Sequence, residues 1–130
     1  MPPSVYTIDP GRRLVCVTLL DASTPAEIVE FCEGVLHDPL YQSGFSFLVD
    51  RRQLTKPPRA DTVRALAAFV RQYASQLGPC RIAIVNNSVA GQWWPWRTGM
   101  ALLAHYASIT LDLFDDYELA EAWVSAGRGT

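Results

Sequence analysis

Asp50 and Arg52 come at the end of an apolar, strand-like segment of this chain. Asn86, Asn87 and Ser88 follow a second such segment. The carboxyl ends of parallel strands meet at one edge of an open α/β sheet, and ligands bind at that edge. We therefore expect both groups of side chains to lie there. The carboxylate of Asp50 and the guanidinium of Arg52 would orient a polar ligand at this edge. The amide and hydroxyl groups of the second group would contact the ligand beside the N–H groups of the next helix. The alternative is structural: these side chains tie down a loop, form a turn or cap a helix.

Three of the four tryptophans lie within four residues, as Trp93, Trp94 and Trp96, and Arg97 comes next. A core rarely takes three such large aromatic side chains from one short segment. The segment therefore predicts a contact surface, either a cleft wall or an interface where Arg97 stacks on a ring or pairs with an acid. The alternative is that some rings pack inward, because neighbouring helical positions point about 100° apart.

No catalytic motif accompanies these residues. The sequence contains no Gly-x-Ser-x-Gly elbow, no phosphate-binding glycine loop and no paired-carboxylate motif. His37 and His105 have no second histidine or cysteine at metal-ligand spacing, and Cys16, Cys32 and Cys80 form no CxxC pair. We therefore predict no catalytic residue, no metal and no cofactor, and interpret the cysteines as buried free thiols.

Composition limits the classes of partner. The 130 residues carry 11 basic and 13 acidic side chains, a formal net charge of −2 with neither sign gathered in a block. This balance predicts no general attraction to nucleic acid. No apolar run approaches the ~20 residues that span a bilayer, and no signal peptide is visible, so we expect a cytoplasmic protein.

The order of elements predicts how these residues are positioned. Residues 5–8 and 14–20 read as a β-hairpin, and residues 45–50, 81–85 and 110–114 as three further strands. Thr24, Pro25 and Glu27 form a capping-box pattern before the first helix. A second, long helix extends to Leu77 and stops at Gly78. The tryptophans begin a third helix, and the last helix starts after Asp115 or Asp116 and buries Leu119, Ala122 and Trp123.

Strands that alternate with helices predict parallel pairing. We expect one α/β domain over residues 1–130, with a mixed five-stranded sheet whose first edge strand is antiparallel. Residues 81–85 and 110–113 alternate in size or polarity, which is unlike strands covered on both sides. Helices should therefore lie mainly on one face, leaving the other partly open or used for association.

Three segments in this order resemble the SpoIIAA-like family, which has a STAS-like fold. They are residues 47–52 after Gly44, residues 81–85, and the ending 114–123, where a phenylalanine and an acidic pair precede alanine and Trp123. The resemblance implies sequentially ordered strands and a non-enzymatic binding module. It also implies a phosphorylation switch at the start of the second long helix, where Thr62 is the nearest counterpart. The alternative for Thr62 is ordinary helix capping.

Three functions remain open from the sequence. The first is a STAS-like binding or regulatory module that associates with itself or with a regulatory protein. The second is a carrier or sensor of a small apolar or amphipathic molecule, held near the tryptophans, Asp50 and Asn86. The third is an enzyme that uses Asp50 or His105, which requires those groups to converge in one pocket.

Overall fold

The computed structural model describes residues 4–21, 24–54, 59–86 and 109–126. Within these ranges a hairpin comes first, and helices separate β2 from β3 and β3 from β4, as the sequence predicts. The third helix predicted to begin at the tryptophans, between β4 and β5, lies outside the described residues. The strands are β1 (Ser4–Asp9), β2 (Leu14–Leu19), β3 (Ser46–Asp50), β4 (Cys80–Val85) and β5 (Ile109–Phe114). The helices are α1 (Pro25–Leu36), α2 (Ala60–Gln72), α3 (Ala74–Leu77) and α4 (Tyr117–Ala126).

The five strands form one sheet in the order β1-β2-β3-β4-β5. β1 pairs antiparallel with β2, and the other three pairings are parallel. The turn between β1 and β2 is closed by the N–H of Arg12, which donates to the carbonyl of Asp9 over 3.2 Å. The expected fold class, a mixed five-stranded α/β sheet with an antiparallel first strand, is confirmed.

The helix boundaries follow local side-chain chemistry. α1 begins with the predicted capping box: Thr24 Oγ1 accepts from the N–H of Glu27, and Glu27 Oε1 accepts from the N–H of Thr24. The second long helix is interrupted at Tyr73, which divides it into α2 and α3. The chain then turns at Gly78, whose φ is 65° and where a Cβ would lie 2.9 Å from Ser43 Oγ. Glycine fits this position because any side chain would clash there and strain the backbone.

The sheet has an apolar cluster on each face. Successive strand residues point to opposite faces, so Val15 and Val17 belong to one cluster while Leu14 belongs to the other. α1 and α2 cover the first face, where Phe45 and Phe69 are buried. α4 covers the second face, chiefly over β3, β4 and β5. We name these the α1/α2 face and the α4 face.

The buried side of α4 differs from the prediction. Leu119 is 62% exposed and Ala122 is exposed, whereas Ala120 and Val124 are buried. Trp123 does pack against the cluster, as expected, and remains half-buried. The expected cap is confirmed, since Asp116 Oδ1 accepts from the N–H of Leu119 over 3.1 Å. None of the helices in the described ranges has the length and apolar character to cross a bilayer.

Candidate functional site

The carboxyl ends of β3, β4 and β5 lie side by side, as the sequence predicts. The N–H of Arg51 donates to the carbonyl of Val85 over 2.8 Å, which extends the pairing of β3 and β4 by one residue. The N–H of Asn86 donates to the carbonyl of Phe114 over 2.9 Å, which does the same for β4 and β5. Arg51, Asn86 and Phe114 therefore form one row at the edge where open α/β sheets bind ligands.

Arg51 and Asn86 form a buried polar pair within this row. Arg51 Nη1 donates to Asn86 Oδ1 over 2.7 Å, and the two residues are only 6% and 1% exposed. Burial lowers the pKa of the Arg51 guanidinium, although arginine stays charged at neutral pH. Because an unsatisfied buried amide or charge is costly, this bond fixes the two strand ends relative to each other.

Asp50 and Arg52 bind each other in the following turn. Arg52 Nε and Nη2 donate to the two oxygens of Asp50 over 2.9 and 2.8 Å, and the N–H of Arg52 donates to Oδ1 over 3.0 Å. Burial opposes the ionisation of Asp50, but the hydrogen bonds and charge of Arg52 outweigh it and hold the pKa of that carboxyl below its usual value. These contacts agree with the structural alternative, in which the two side chains hold a loop in place. They keep Asp50 ionised, and both of its carboxylate oxygens accept hydrogen bonds from Arg52.

Arg52 also joins the carboxyl edge to α4. Its guanidinium lies over the ring of Tyr117, 4.7 Å from the centroid, in cation–π geometry. Burial raises the pKa of the Tyr117 phenol, and the nearby Cys16, Glu121 and Asp50 add to the increase. Tyr117 is the first residue of α4, so this contact holds the start of the helix against the end of β3.

Thr62 lies in the first turn of α2 and is half-buried. The helix begins at Ala60 with Arg59 at the N-cap, and no side chain makes a capping hydrogen bond there. Thr62 is thus the third helical residue, and its expected role as an ordinary cap is wrong because the helix starts two residues earlier. Phosphorylation of Thr62 stays a prediction.

Several predicted residues are outside the described part of the chain. They are Asn87, Ser88, Trp93, Trp94, Trp96, Arg97 and His105. His37 lies at the C-cap of α1, with its Nδ1 2.8 Å from the carbonyl of Glu33.

The described cysteines are free thiols. Cys80 is buried, while Cys16 and Cys32 are partly buried. Burial raises the pKa of Cys32 to about 12 and that of Cys80 to about 11, so both stay protonated and weakly nucleophilic near neutral pH. Among the described residues, no three His, Cys, Asp or Glu side chains are grouped as metal ligands.

Two contributors at this edge, Arg51 and Tyr117, were missed from the sequence. Arginine side chains are usually exposed, so the residue type alone predicts an exposed Arg51 rather than a buried one. Its position in the sequence is the indication of a structural role, because Arg51 directly follows a buried strand and precedes a second arginine. Tyr117 belongs to the ending 114–123 but is distant in sequence from Arg52, and only the packing of α4 brings them together.

No protein-family model, curated protein or solved structure matches this chain. The resemblance to SpoIIAA-like proteins therefore rests on the three segments alone. The sheet order and the contacts at its carboxyl edge are the remaining grounds for a functional proposal.

Proposed function

We propose that the chain is a non-catalytic, STAS-like binding or regulatory module that acts by associating with a protein, either a second copy or a regulatory partner. The observation that supports it most is that the polar side chains at the carboxyl edge form hydrogen bonds with one another. Arg51 binds Asn86, and Arg52 binds Asp50. Side chains used in this way stabilise strand ends and a turn, which a binding scaffold requires.

The state of Asp50 is unfavourable for acid–base chemistry. A general base works best with a pKa near the operating pH and with a free oxygen aimed at the proton it removes. The pKa of Asp50 is lowered, and both of its oxygens accept hydrogen bonds from Arg52. This supports a binding function over an enzyme that uses Asp50.

The sheet is also consistent with the proposed family. The SpoIIAA-like resemblance implies sequential strands with an antiparallel edge, and the described strands follow that order. An α/β sheet of this kind hosts many functions, so the order supports the proposal without specifying a partner. We also propose a cytoplasmic location, for which the free thiols are the supporting observation.

The contact surface in this proposal is the segment that contains Trp93, Trp94 and Trp96. It follows Asn86 closely in sequence, and Asn86 lies at the end of β4. Tryptophan and arginine are enriched at the energetic centres of protein interfaces, which fits the sequence of this segment and of Arg97.

Sedimentation velocity over a range of concentrations tests self-association. We expect a dimer of the parent protein, and Trp93→Ala and Trp94→Ala should each weaken it by roughly tenfold or more, the effect of losing a central interface anchor. Leu40→Ala is the control, because Leu40 is 52% exposed and lies in a different loop. A parent protein that stays monomeric would contradict self-association. A shift in tryptophan fluorescence on adding apolar metabolites would support the small-ligand alternative instead.

A further inference from the structure

The final described segment is strongly acidic. Residues 109–126 contain five acidic side chains and no lysine, arginine or histidine, although the whole chain is nearly balanced at 13 acidic and 11 basic residues. Asp112, Asp115, Asp116 and Glu118 are all exposed. The exposed carboxylates therefore make the β5 side of this region negative, a local charge that the net charge of −2 does not reveal. Arg12, Arg52 and Arg81 contact other residues of α4.

An apolar surface lies within this acidic region. Leu119 is the most exposed large hydrophobic side chain in the described residues, at 62%. Trp123 is one helical turn further along the same side of α4, and it is half-buried. The Trp123 ring lies 5.5 Å from that of Phe114, which is also half-buried at the end of β5. Leu119, Trp123 and Phe114 thus form an apolar strip between α4 and β5.

This strip borders an edge of the sheet. β5 is the last strand in the sheet order, and no further strand pairs with it among the described residues. On the α1/α2 face, Leu111 and Leu113 of β5 are only partly buried. An added strand would therefore find apolar neighbours on both faces and backbone groups along the edge. The N–H of Leu113 already donates to Asp112 Oδ1 over 2.9 Å, so the added strand would replace that contact.

The charge of β5 distinguishes between occupants of this edge. Asp112 lies within the strand and is exposed. Pairing β5 with β5 of a second copy would bring two acidic segments together, and charged residues on edge strands oppose such self-pairing. A basic segment would gain attraction from the same side chains.

We propose that the edge of β5 and the adjoining Leu119–Trp123 side of α4 bind a basic, extended segment of a partner protein, which adds as a sixth strand. On the α4 face, apolar side chains of the added strand would contact Phe114 and Leu119, and a lysine or arginine would lie near Asp112. The alternate side chains point to the other face, where apolar ones would contact Leu111 and Leu113. This inference rests on the proposed function, because it also assumes that the chain acts by protein association. It uses a different surface from the tryptophan segment.

A fluorescently labelled peptide that repeats lysine-valine-valine-valine is the probe, because it presents lysine and valine in turn on one face of a strand and only valine on the other. Its anisotropy measures binding to the full chain. Leu119→Ser should weaken binding roughly tenfold, and Asp112→Asn should weaken it and reduce its dependence on salt. Both side chains are exposed, so neither change should disturb folding. Leu40→Ser is the matched control and should bind like the parent. The same peptide with glutamate in place of lysine should not bind, and the one with serine in place of valine should bind much more weakly.

Hydrogen exchange identifies the mode of binding. Strand addition should slow exchange of β5 amides, whereas amides of β1 at the opposite edge should keep their rates. Equal affinity of the parent and Leu119→Ser, or unchanged β5 exchange in the bound state, would overturn the proposal. Trp93→Ala separates it from the proposed self-association: that variant should lose the dimer and keep the peptide affinity. A monomeric parent that binds the peptide would contradict self-association and support this inference.

Discussion

The two faces of the sheet are stabilised by different chemistry. On the α1/α2 face the buried set includes the rings of Tyr41, Phe45 and Phe69. On the α4 face the helix contributes only Ala120 and Val124 as fully buried side chains. One face is thus a core of large side chains, and the other is a thinner apolar layer under one short helix.

Arginines compensate for the thin layer on the α4 face. Arg81 stacks on Trp123 at 4.9 Å and donates to the carbonyl of Trp123 over 2.7 Å. Arg12 binds Glu121 and Ser125, and Arg52 lies over Tyr117. The first face therefore depends mainly on apolar burial, although Arg13 lies over Phe45 and Tyr6 donates to Asp38 there. The second depends more on charged groups at the surface. The first should therefore be sensitive to cavities, and the second to arginine substitution and salt.

The largest expected difference between the faces comes from truncating a buried side chain on each. Phe45 is 1% exposed, and Phe45→Ala should cost about 3–5 kcal/mol of unfolding free energy, the range for a buried aromatic. Val124→Ala should cost about 2 kcal/mol, because fewer methyl groups are lost from a thinner layer. Urea denaturation monitored by circular dichroism measures both.

Leu119→Ala is the control for α4. Since Leu119 is exposed, its truncation should change the unfolding free energy by less than about 0.5 kcal/mol. Equal losses for Phe45→Ala and Val124→Ala would show that the two faces do not differ in the way their packing implies.

The failure to predict the buried side of α4 has a physical cause. Leu119, Ala120, Ala122, Trp123 and Val124 are all apolar, so helical periodicity alone does not identify the side that faces the sheet. The contacts of Arg81 and Arg52 with the aromatic residues of α4 help to fix its rotation. Such contacts join residues far apart in sequence and leave no local pattern.

The carboxyl edge was predictable in position but not in detail. Strand–helix alternation placed Asp50 and Asn86 at one edge, because parallel strands end on the same side of a sheet. The pairing of Asp50 with Arg52 agrees with the structural alternative considered from the sequence. The burial of Arg51 was not predictable, since it depends on Asn86 accepting its hydrogen bond across two strands.

Alkaline pH should reveal a weakness at Tyr41, on the α1/α2 face. Burial raises the pKa of Tyr41 to about 12, and its hydroxyl is buried with no hydrogen-bond partner among the described residues. The unfolded chain releases this proton near pH 10, whereas the folded protein retains it, so stability should fall as pH rises from about 10 to 12. Tyr41→Phe should reduce that loss by about 2 kcal/mol. Chemical denaturation at several pH values measures the effect.

A second tyrosine provides the control near neutral pH. Tyr41→Phe should raise the unfolding free energy by about 1 kcal/mol there, because it removes an unsatisfied buried hydroxyl. Tyr6→Phe should lower it by up to about 1 kcal/mol, because the Tyr6 hydroxyl donates to Asp38 over 2.8 Å. Changes of the same sign in both variants would contradict an unsatisfied hydroxyl at Tyr41.

The smallest expected effect concerns the charge contacts of the α4 face. Arg12 and Glu121 are 3.4 Å apart with side chains 40% and 39% exposed, so Arg12→Gln should cost about 0.5 kcal/mol at low salt. Salt screens exposed charges, and the difference from the parent should vanish near ~1 M NaCl. Arg81→Gln should retain most of its cost in the same salt, because stacking on Trp123 and the hydrogen bond to its carbonyl are partly buried. If salt abolishes both differences, screened charge alone holds α4; if it abolishes neither, the Arg12 contact is a packing contact like that of Arg81.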